Sequence, residues 1–281
     1  MYEDLSYGML IDVTLCIGCK GCQIACKQWN DLPAEKTAFN ADWSNPPELT
    51  ARTWKRVGHH LVQKGGKLLW RFVPLACMHC NEPACEAACF VHAFYKTPEG
   101  PVLYKENLCV GCRYCMVACP FGVPKFEWDK TFPLVLKCRM CFERIAEGQQ
   151  PSCATACPTG ATLFGRRDEL LAEARNRINA NPDKYVPHIY GEKEAGGTSV
   201  LYLSDVPFHE LGFKTVERGE IPAEPIPSFS DRIVRWTLPV AATWTAVLGG
   251  LYWYTKRRAE VEESMKRHNS PQNKGEGSQN D

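Results

Sequence analysis

Sixteen cysteines occur in this chain of 281 residues, and all of them fall in four tight groups. The groups are Cys16, Cys19, Cys22, Cys26; Cys77, Cys80, Cys85, Cys89; Cys109, Cys112, Cys115, Cys119; and Cys138, Cys141, Cys153, Cys157. In the first and third groups the spacing is C-x2-C-x2-C-x3-C, a run that holds [4Fe–4S] clusters through thiolates. Three thiolates within seven residues cap three irons of one cubane, and the fourth, set back by three residues, points to a neighbouring cluster. Four such groups imply four [4Fe–4S] clusters with all sixteen cysteines as iron ligands, and a series of clusters is a path for electrons. No nucleophile–base constellation and no nucleotide-binding glycine run accompanies them, so the chain is expected to carry electrons without being a catalyst.

Two other chemistries compete for these cysteines. Disulfide frameworks belong to short chains with little core, whereas hydrophobic residues make up 44% of this one. Structural zinc accounts for a pair of C-x2-C units but not for the further cysteine repeated in groups one and three. It stays open as the alternative for any single group, as does a zinc-stabilised interaction protein for the whole chain.

The groups also form an internal repeat. Leu15-Cys16-Ile17-Gly18-Cys19-Lys20-Gly21-Cys22-Gln23-Ile24-Ala25-Cys26 aligns with Leu108-Cys109-Val110-Gly111-Cys112-Arg113-Tyr114-Cys115-Met116-Val117-Ala118-Cys119. Groups two and four match more loosely: each opens with C-x2-C, has a proline two residues before its third cysteine (Pro83, Pro151) and ends with x3-C, group four carrying an insert from Phe142 to Ser152. The order A-B-A-B describes a duplicated two-cluster module. Prolines follow Cys119 and Cys157, as in bacterial ferredoxins, but Lys27 and Phe90 follow the other two groups.

The elements that must position these groups are short. Strand-like runs precede the A groups at Met9–Val13 and Pro101–Tyr104, and another, Ala161–Phe164, follows group four. Asp168 to Ile178 reads as a helix with Leu170, Leu171, Ala174 and Ile178 on one face. The insert at residues 27–76 is rich in Trp, Pro and Asn, and Trp29, Trp43, Trp54 and Trp70 are expected to pack in the core or at interfaces. Past Ile178 the cysteines stop and the composition turns loop-like; the irregular stretch Pro187–Thr198 is expected to be draped over something rather than self-contained, and the extension over 181–232 to contact partner subunits. Lys and Arg (33) balance Asp and Glu (32), so nothing suggests nucleic acid, which would need a basic stripe.

Trp236 to Thr255 contains no charged residue and has aromatic residues near both ends, which suits one membrane-spanning helix. Lys256, Arg257, Arg258, Lys266 and Arg267 follow it, against Arg218, Arg232 and Arg235 before it, which places the C-terminus in the cytoplasm. Gly249-Gly250 offers a close-packing face to a partner helix. The start, Met1-Tyr2-Glu3-Asp4-Leu5-Ser6, has no twin arginine and no apolar leader core, so no cleavable signal is expected. A cluster domain outside the cytoplasm without a signal must be exported with a signal-bearing partner.

These motifs resemble a family: the four-cluster electron-transfer (beta) subunits of molybdenum or tungsten bis-pterin enzymes and some membrane hydrogenases. The stretch Cys109 to Lys125 is similar to that family's third-group signature, and Gly191-Glu192-Lys193-Glu194-Ala195-Gly196-Gly197-Thr198 to its C-terminal extension. The single span and absent signal are most similar to the beta subunit of membrane-bound, respiratory formate dehydrogenase, the alternative being the hydrogenase-2-type subunit. The resemblance implies a formate-oxidising molybdopterin alpha subunit as electron donor, a membrane cytochrome b gamma subunit passing electrons to quinone, and an inner-membrane complex with the cluster domain periplasmic. It also implies crossed ligation: Cys16, Cys19 and Cys22 with Cys157; Cys138, Cys141 and Cys153 with Cys26; Cys77, Cys80 and Cys85 with Cys119; Cys109, Cys112 and Cys115 with Cys89. Lys20, Arg113, Lys137 and Arg139 are candidates for tuning the clusters, while His79 and His92 are expected to be structural. The expected fold is α+β: a duplicated bacterial-ferredoxin-like domain (two units of 2[4Fe–4S]) over residues 1–180, a loop-rich extension over 181–232, a transmembrane helix over 233–257 and a polar tail over 258–281.

Overall fold

Met9, Leu10 and Ile11 form an apolar run with no polar alternation, the pattern of a strand covered on both faces. A computed structural model, which describes residues 6–39 and 43–268, places them in the middle of the central sheet, essentially without exposure. Along the chain run β1 (Tyr7–Asp12), α1 (Gly21–Trp29), β2 (Arg56–Lys64), β3 (Lys67–Leu75), α2 (Ala84–Ala87), β4 (Phe94–Lys96), β5 (Val102–Tyr104), α3 (Tyr114–Ala118), β6 (Lys125–Phe126), β7 (Val135–Leu136), α4 (Phe142–Ala146), α5 (Ser152–Thr155), β8 (Thr162–Arg166), α6 (Arg167–Ala180), β9 (Val200–Leu203) and α7 (Ile226–His268).

Two strand pairs carry the duplication. The strand before group one, β1, pairs antiparallel with the strand after group four, β8, from Tyr7↔Arg166 to Ile11↔Thr162. The strand after group two, β4, pairs antiparallel with the strand before group three, β5, from Phe94↔Tyr104 to Lys96↔Val102. The same rule therefore builds both modules, and one is nested in the other: groups two and three form an inner module and groups one and four an outer one. Helix packing follows, with α1 on α5 and α2 on α3.

Two parts of the scaffold depart from the expectations. Residues 27–76 contain a hairpin of two nine-residue strands, β2 with β3, turning at Gly65-Gly66 where both glycines take positive φ (56° and 77°), as a two-residue turn between twisted strands requires. Of the four tryptophans there, Trp54 is buried, while Trp29 lies under Arg144 with its guanidinium 4.7 Å from the ring, and Trp43 and Trp70 meet edge-on at 6.3 Å. The second departure concerns the extension. Just past Pro187–Thr198, β9 is fully buried and joins the sheet parallel to β1, Met9↔Val200 through Asp12↔Leu203, giving the order β8-β1-β9. Tyr190, Tyr202, Phe208 and Phe213 then close an aromatic cluster behind it. The bidentate pair from Arg71 Nε and Nη2 to the Asp205 carboxylate, at 2.7 and 2.5 Å, ties this extension to the hairpin. Helix α6 is as expected, with Leu170 and Ala174 buried and Leu171 and Ile178 packed beside them against Leu10, Leu201 and Leu203.

The chain divides after Phe229 into two compact units. The second is dominated by α7, which is helical through the stretch expected to span a membrane and continues through the charged residues to His268. The expectation of a transmembrane helix is corrected: among the described residues no helix is long and apolar enough to cross a membrane. The physical reason lies in what fills the uncharged stretch. Only eight residues of Trp236–Thr255 are Leu, Val or Ala, the rest being Trp, Tyr, Thr, Pro and Gly, so absence of charge is not high hydropathy. The expected leader-free start at residues 1–5 and polar tail at 269–281 lie outside the described residues.

Candidate iron–sulfur centres

Each cysteine group begins with a loop that turns at one repeated position. Two residues past the first cysteine the backbone is left-handed in all four: Gly18 (φ 70°), His79 (49°), Gly111 (71°) and Met140 (55°). Groups one and three use glycine, for which this conformation is free, whereas a residue with a Cβ spends about 1–2 kcal/mol there. His79 and Met140 are held in it by burial, and His79 Nδ1 accepts the Val102 N–H at 2.9 Å. The third cysteine then stands in a short helix, Cys22 in α1, Cys85 in α2, Cys115 in α3 and Cys153 in α5, and the fourth follows one turn on.

The fold brings these thiols together in four sets that cross between groups. Cys157 lies within electrostatic reach of Cys16 and Cys22. Cys26 lies likewise beside Cys138, Cys141 and Cys153, Cys119 beside Cys77, Cys80 and Cys85, and Cys89 beside Cys115 and, through it, Cys109 and Cys112. The fourth cysteine of every group thus lies beside cysteines of the other group of its own module. The modules meet where Cys77 neighbours Cys138; both pack with Cys26, Trp54 and Val123 in one buried cluster that Cys119 adjoins.

The donor set suits an iron–sulfur cluster. All sixteen cysteines are free thiols. Among the described residues no three His, Cys, Asp or Glu side chains are placed to hold a metal ion. Cys77, Cys80, Cys85 and Cys119 line one small pocket together with Lys137. Burial pushes four of these thiols up, Cys22 and Cys141 to about 11 and Cys115 and Cys138 to about 12, so these four ionise at neutral pH only where a bound cation supplies positive charge. Cys157 moves the other way: burial raises it too, but hydrogen bonds from Thr162, Thr159 and Ala161 outweigh burial and hold it below the ordinary thiol value.

The cations around the sites differ from the expected four. Lys20 bonds the Trp43 carbonyl at 3.3 Å, Arg113 lies over Phe126 and Trp128, and Arg139 pairs with Glu143, all toward the surface. Lys137 is buried beside Cys85 and donates to the carbonyls of Val102 (2.5 Å) and Cys138 (3.0 Å). Two lysines with no signature in the sequence join it. Lys96, near Cys80 and Cys77, donates to the His79 carbonyl and the Ser199 hydroxyl, both at 3.1 Å; burial pushes its ammonium down to about 8 despite those thiols. Lys55 is fully buried near Cys22, Cys153 and Cys138. His79 and His92 lie within and just beyond group two, both with positive φ, and His79 is kept neutral by burial and by Lys137 and Lys96.

Nested strand pairs, four crossed cysteine sets and buried thiols define an iron–sulfur electron carrier of the ferredoxin-like class. Residues 68–167 match the family model of the 4Fe-4S dicluster domain. A protein of Nitratidesulfovibrio vulgaris (strain Hildenborough) is 44% identical over 265 residues, covering 92% of this chain and 69% of that protein. The hydrogenase-2 operon protein HybA of Escherichia coli O157:H7 is 38% identical over 238 residues, 73% of this chain and 72% of its own length. The formate dehydrogenase iron–sulfur subunit of Haemophilus influenzae is 34% identical over 247 residues, 86% of this chain and 76% of its own length. The chain belongs to this family of iron–sulfur, electron-transfer subunits, and its role is to relay electrons through 4Fe–4S clusters.

Proposed function

We propose that the chain holds four [4Fe–4S] clusters and passes electrons from a formate-oxidising molybdopterin subunit, with molybdenum or tungsten, to a membrane cytochrome b subunit and quinone. The observation that carries the count is the sorting of sixteen free cysteines into four crossed sets. The contact between Cys77 and Cys138 favours one order along the path: Cys109 set, Cys77 set, Cys138 set, Cys16 set, each naming its first-numbered cysteine or junction cysteine. The complex would work at the inner membrane with the cluster unit on the periplasmic side, exported with a signal-bearing partner.

A second reading is supported by one specific observation. Similarity to the hydrogenase-2 operon protein is as extensive as that to formate dehydrogenase subunits, so a nickel-containing hydrogenase is the other candidate electron source. Iron and acid-labile sulfide in the purified protein test the cluster count, with about four irons per cysteine set expected; zinc in their place sinks it. Copurification then separates the readings: a molybdopterin subunit supports formate oxidation, and a nickel subunit overturns it in favour of hydrogen.

A further inference from the structure

Lys55 lies where the two cysteine groups of the outer module face each other. The residue before it, Trp54, packs with Cys26, Cys138 and Cys77, and Val57 two residues on packs into the core that holds Cys22 and Cys153. The chain is fixed on both sides of it. Trp54 Nε1 donates to the Ala51 carbonyl at 2.8 Å, and the Val57 N–H donates to the Gln23 side chain of α1 at 3.2 Å. The side chain between these anchors is 2% exposed, and its Nζ is buried without a hydrogen-bond partner in the chain. The buried Lys137 and the half-buried Lys96 differ in that respect, since each donates to two protein oxygens. The ammonium's titratable neighbours are Cys153, Cys22, Tyr202 and Cys138, and the Tyr202 hydroxyl is already committed to the Pro74 carbonyl at 2.8 Å.

An ammonium has three donors and no acceptor, and burying it unpaired is among the costliest placements a fold can make. It persists where an anion meets it. The cysteines it faces come from two different sets, Cys22 from one and Cys153 and Cys138 from the other, so an anion at either set, or at both, is within its reach.

We propose that Lys55 is a shared counter-charge for two clusters, donating to the sulfurs of the one held by Cys16, Cys19, Cys22 and Cys157 and of the one held by Cys26, Cys138, Cys141 and Cys153. This rests on the cluster assignment above. A cluster gains one electron and one negative charge on reduction, and a fixed positive charge with hydrogen bonds to its sulfurs favours that state. Lys55 therefore raises the reduction potentials of both outer-module clusters and leaves the inner pair, served by Lys96 and Lys137, unmoved. Lys55 is a positioning residue for charge, not a ligand.

The test is a redox titration followed by electron paramagnetic resonance on the purified complex carrying Lys55→Met or Lys55→Arg, beside wild type, with iron counted in each. Wild-type iron content judges the cluster assignment on its own. For Lys55, the expected result is that the methionine variant moves two clusters to more negative potential and leaves two in place, while the arginine variant stays close to wild type. If the methionine variant fails to load two clusters and the arginine variant loads them, the requirement for charge is equally supported. Wild-type potentials in the methionine variant, a uniform shift of all four clusters, or equal damage by methionine and arginine would overturn the proposal.

Discussion

At the scale of single residues, a cysteine's number in the sequence says less than the set it enters. Cys157 closes group four along the chain, yet its thiol neighbours Cys16 and Cys22. Replacing Cys157 with serine should accordingly damage the cluster held by group one and spare the one held by Cys138, Cys141, Cys153 and Cys26, as resolved by the spectra of the reduced protein. Loss of the group-four cluster alone would show the pairing to be uncrossed. The glycines of the loops give a graded comparison. Gly18 and Gly111 share one backbone conformation, but a Cβ on Gly18 would meet the Phe72 ring at 2.7 Å, whereas on Gly111 the nearest atom is Phe126 at 3.7 Å. Gly111→Ala should thus cost only the left-handed strain, about 1–2 kcal/mol. Gly18→Ala adds overpacking, worth typically about 1–3 kcal/mol more. Thermal unfolding of the two variants against wild type reads the difference, and equal shifts would mean that Phe72 yields freely.

Elements show where sequence patterns suffice and where they do not. β1, β5, β8 and α6 were legible because apolar runs beside the cysteine groups, and a 3.6-residue period in α6, name their own buried faces. β9 was not, since Val200-Leu201-Tyr202-Leu203 is a short apolar run within a Gly- and Pro-rich stretch, and only its pairing with a strand nearly two hundred residues earlier makes it a strand. The hairpin β2–β3 hid for a related reason: Arg56, His59, His60, Lys64, Lys67 and Arg71 make its sequence look polar, although Val57, Val62 and Val73 turn inward. Lys55 carried no signal at all, because a lysine among polar neighbours reads as surface. The clamp between the hairpin and the segment just after β9 can be measured. Burial alone would raise the Asp205 carboxyl, but the hydrogen bonds from Arg71 outweigh it and hold the group below the ordinary aspartate value of 3.8. A carboxylate depressed by folding contributes its stability above the unfolded value and loses it as pH falls through the lower folded value. Asp205→Asn should then cost about 1.5–3 kcal/mol near neutral pH, the range for hydrogen bonds to charged groups. Its deficit against wild type should shrink below pH 3.8. Chemical denaturation at both pH values checks this, and a deficit independent of pH would assign the cost to packing.

For the molecule as a whole, nesting decides how the two modules communicate. The inner module is made by residues close in sequence, from Cys77 to Cys119, while the outer one joins groups more than a hundred residues apart around it. Such an arrangement leaves few places where the modules can touch at their metal sites. The described contact is the buried cluster of Cys26, Cys77, Cys138, Trp54 and Val123, with Cys119 at its edge. In the proposed order, the clusters nearest this contact are the two middle members of the line, and each end member reaches the opposite module only through them. Removing one middle cluster opens a gap that the remaining clusters do not bridge. Cys138→Ala, which removes a ligand at the junction and leaves the Cys16, Cys77 and Cys109 sets otherwise intact, should therefore divide the path. When the complex is reduced by its substrate and frozen within one turnover, clusters on the donor side of the junction should appear reduced. Those on the far side should stay oxidised, although dithionite still reduces them at equilibrium. If all remaining clusters fill together at the wild-type rate, the modules communicate by another route, and the linear order is wrong.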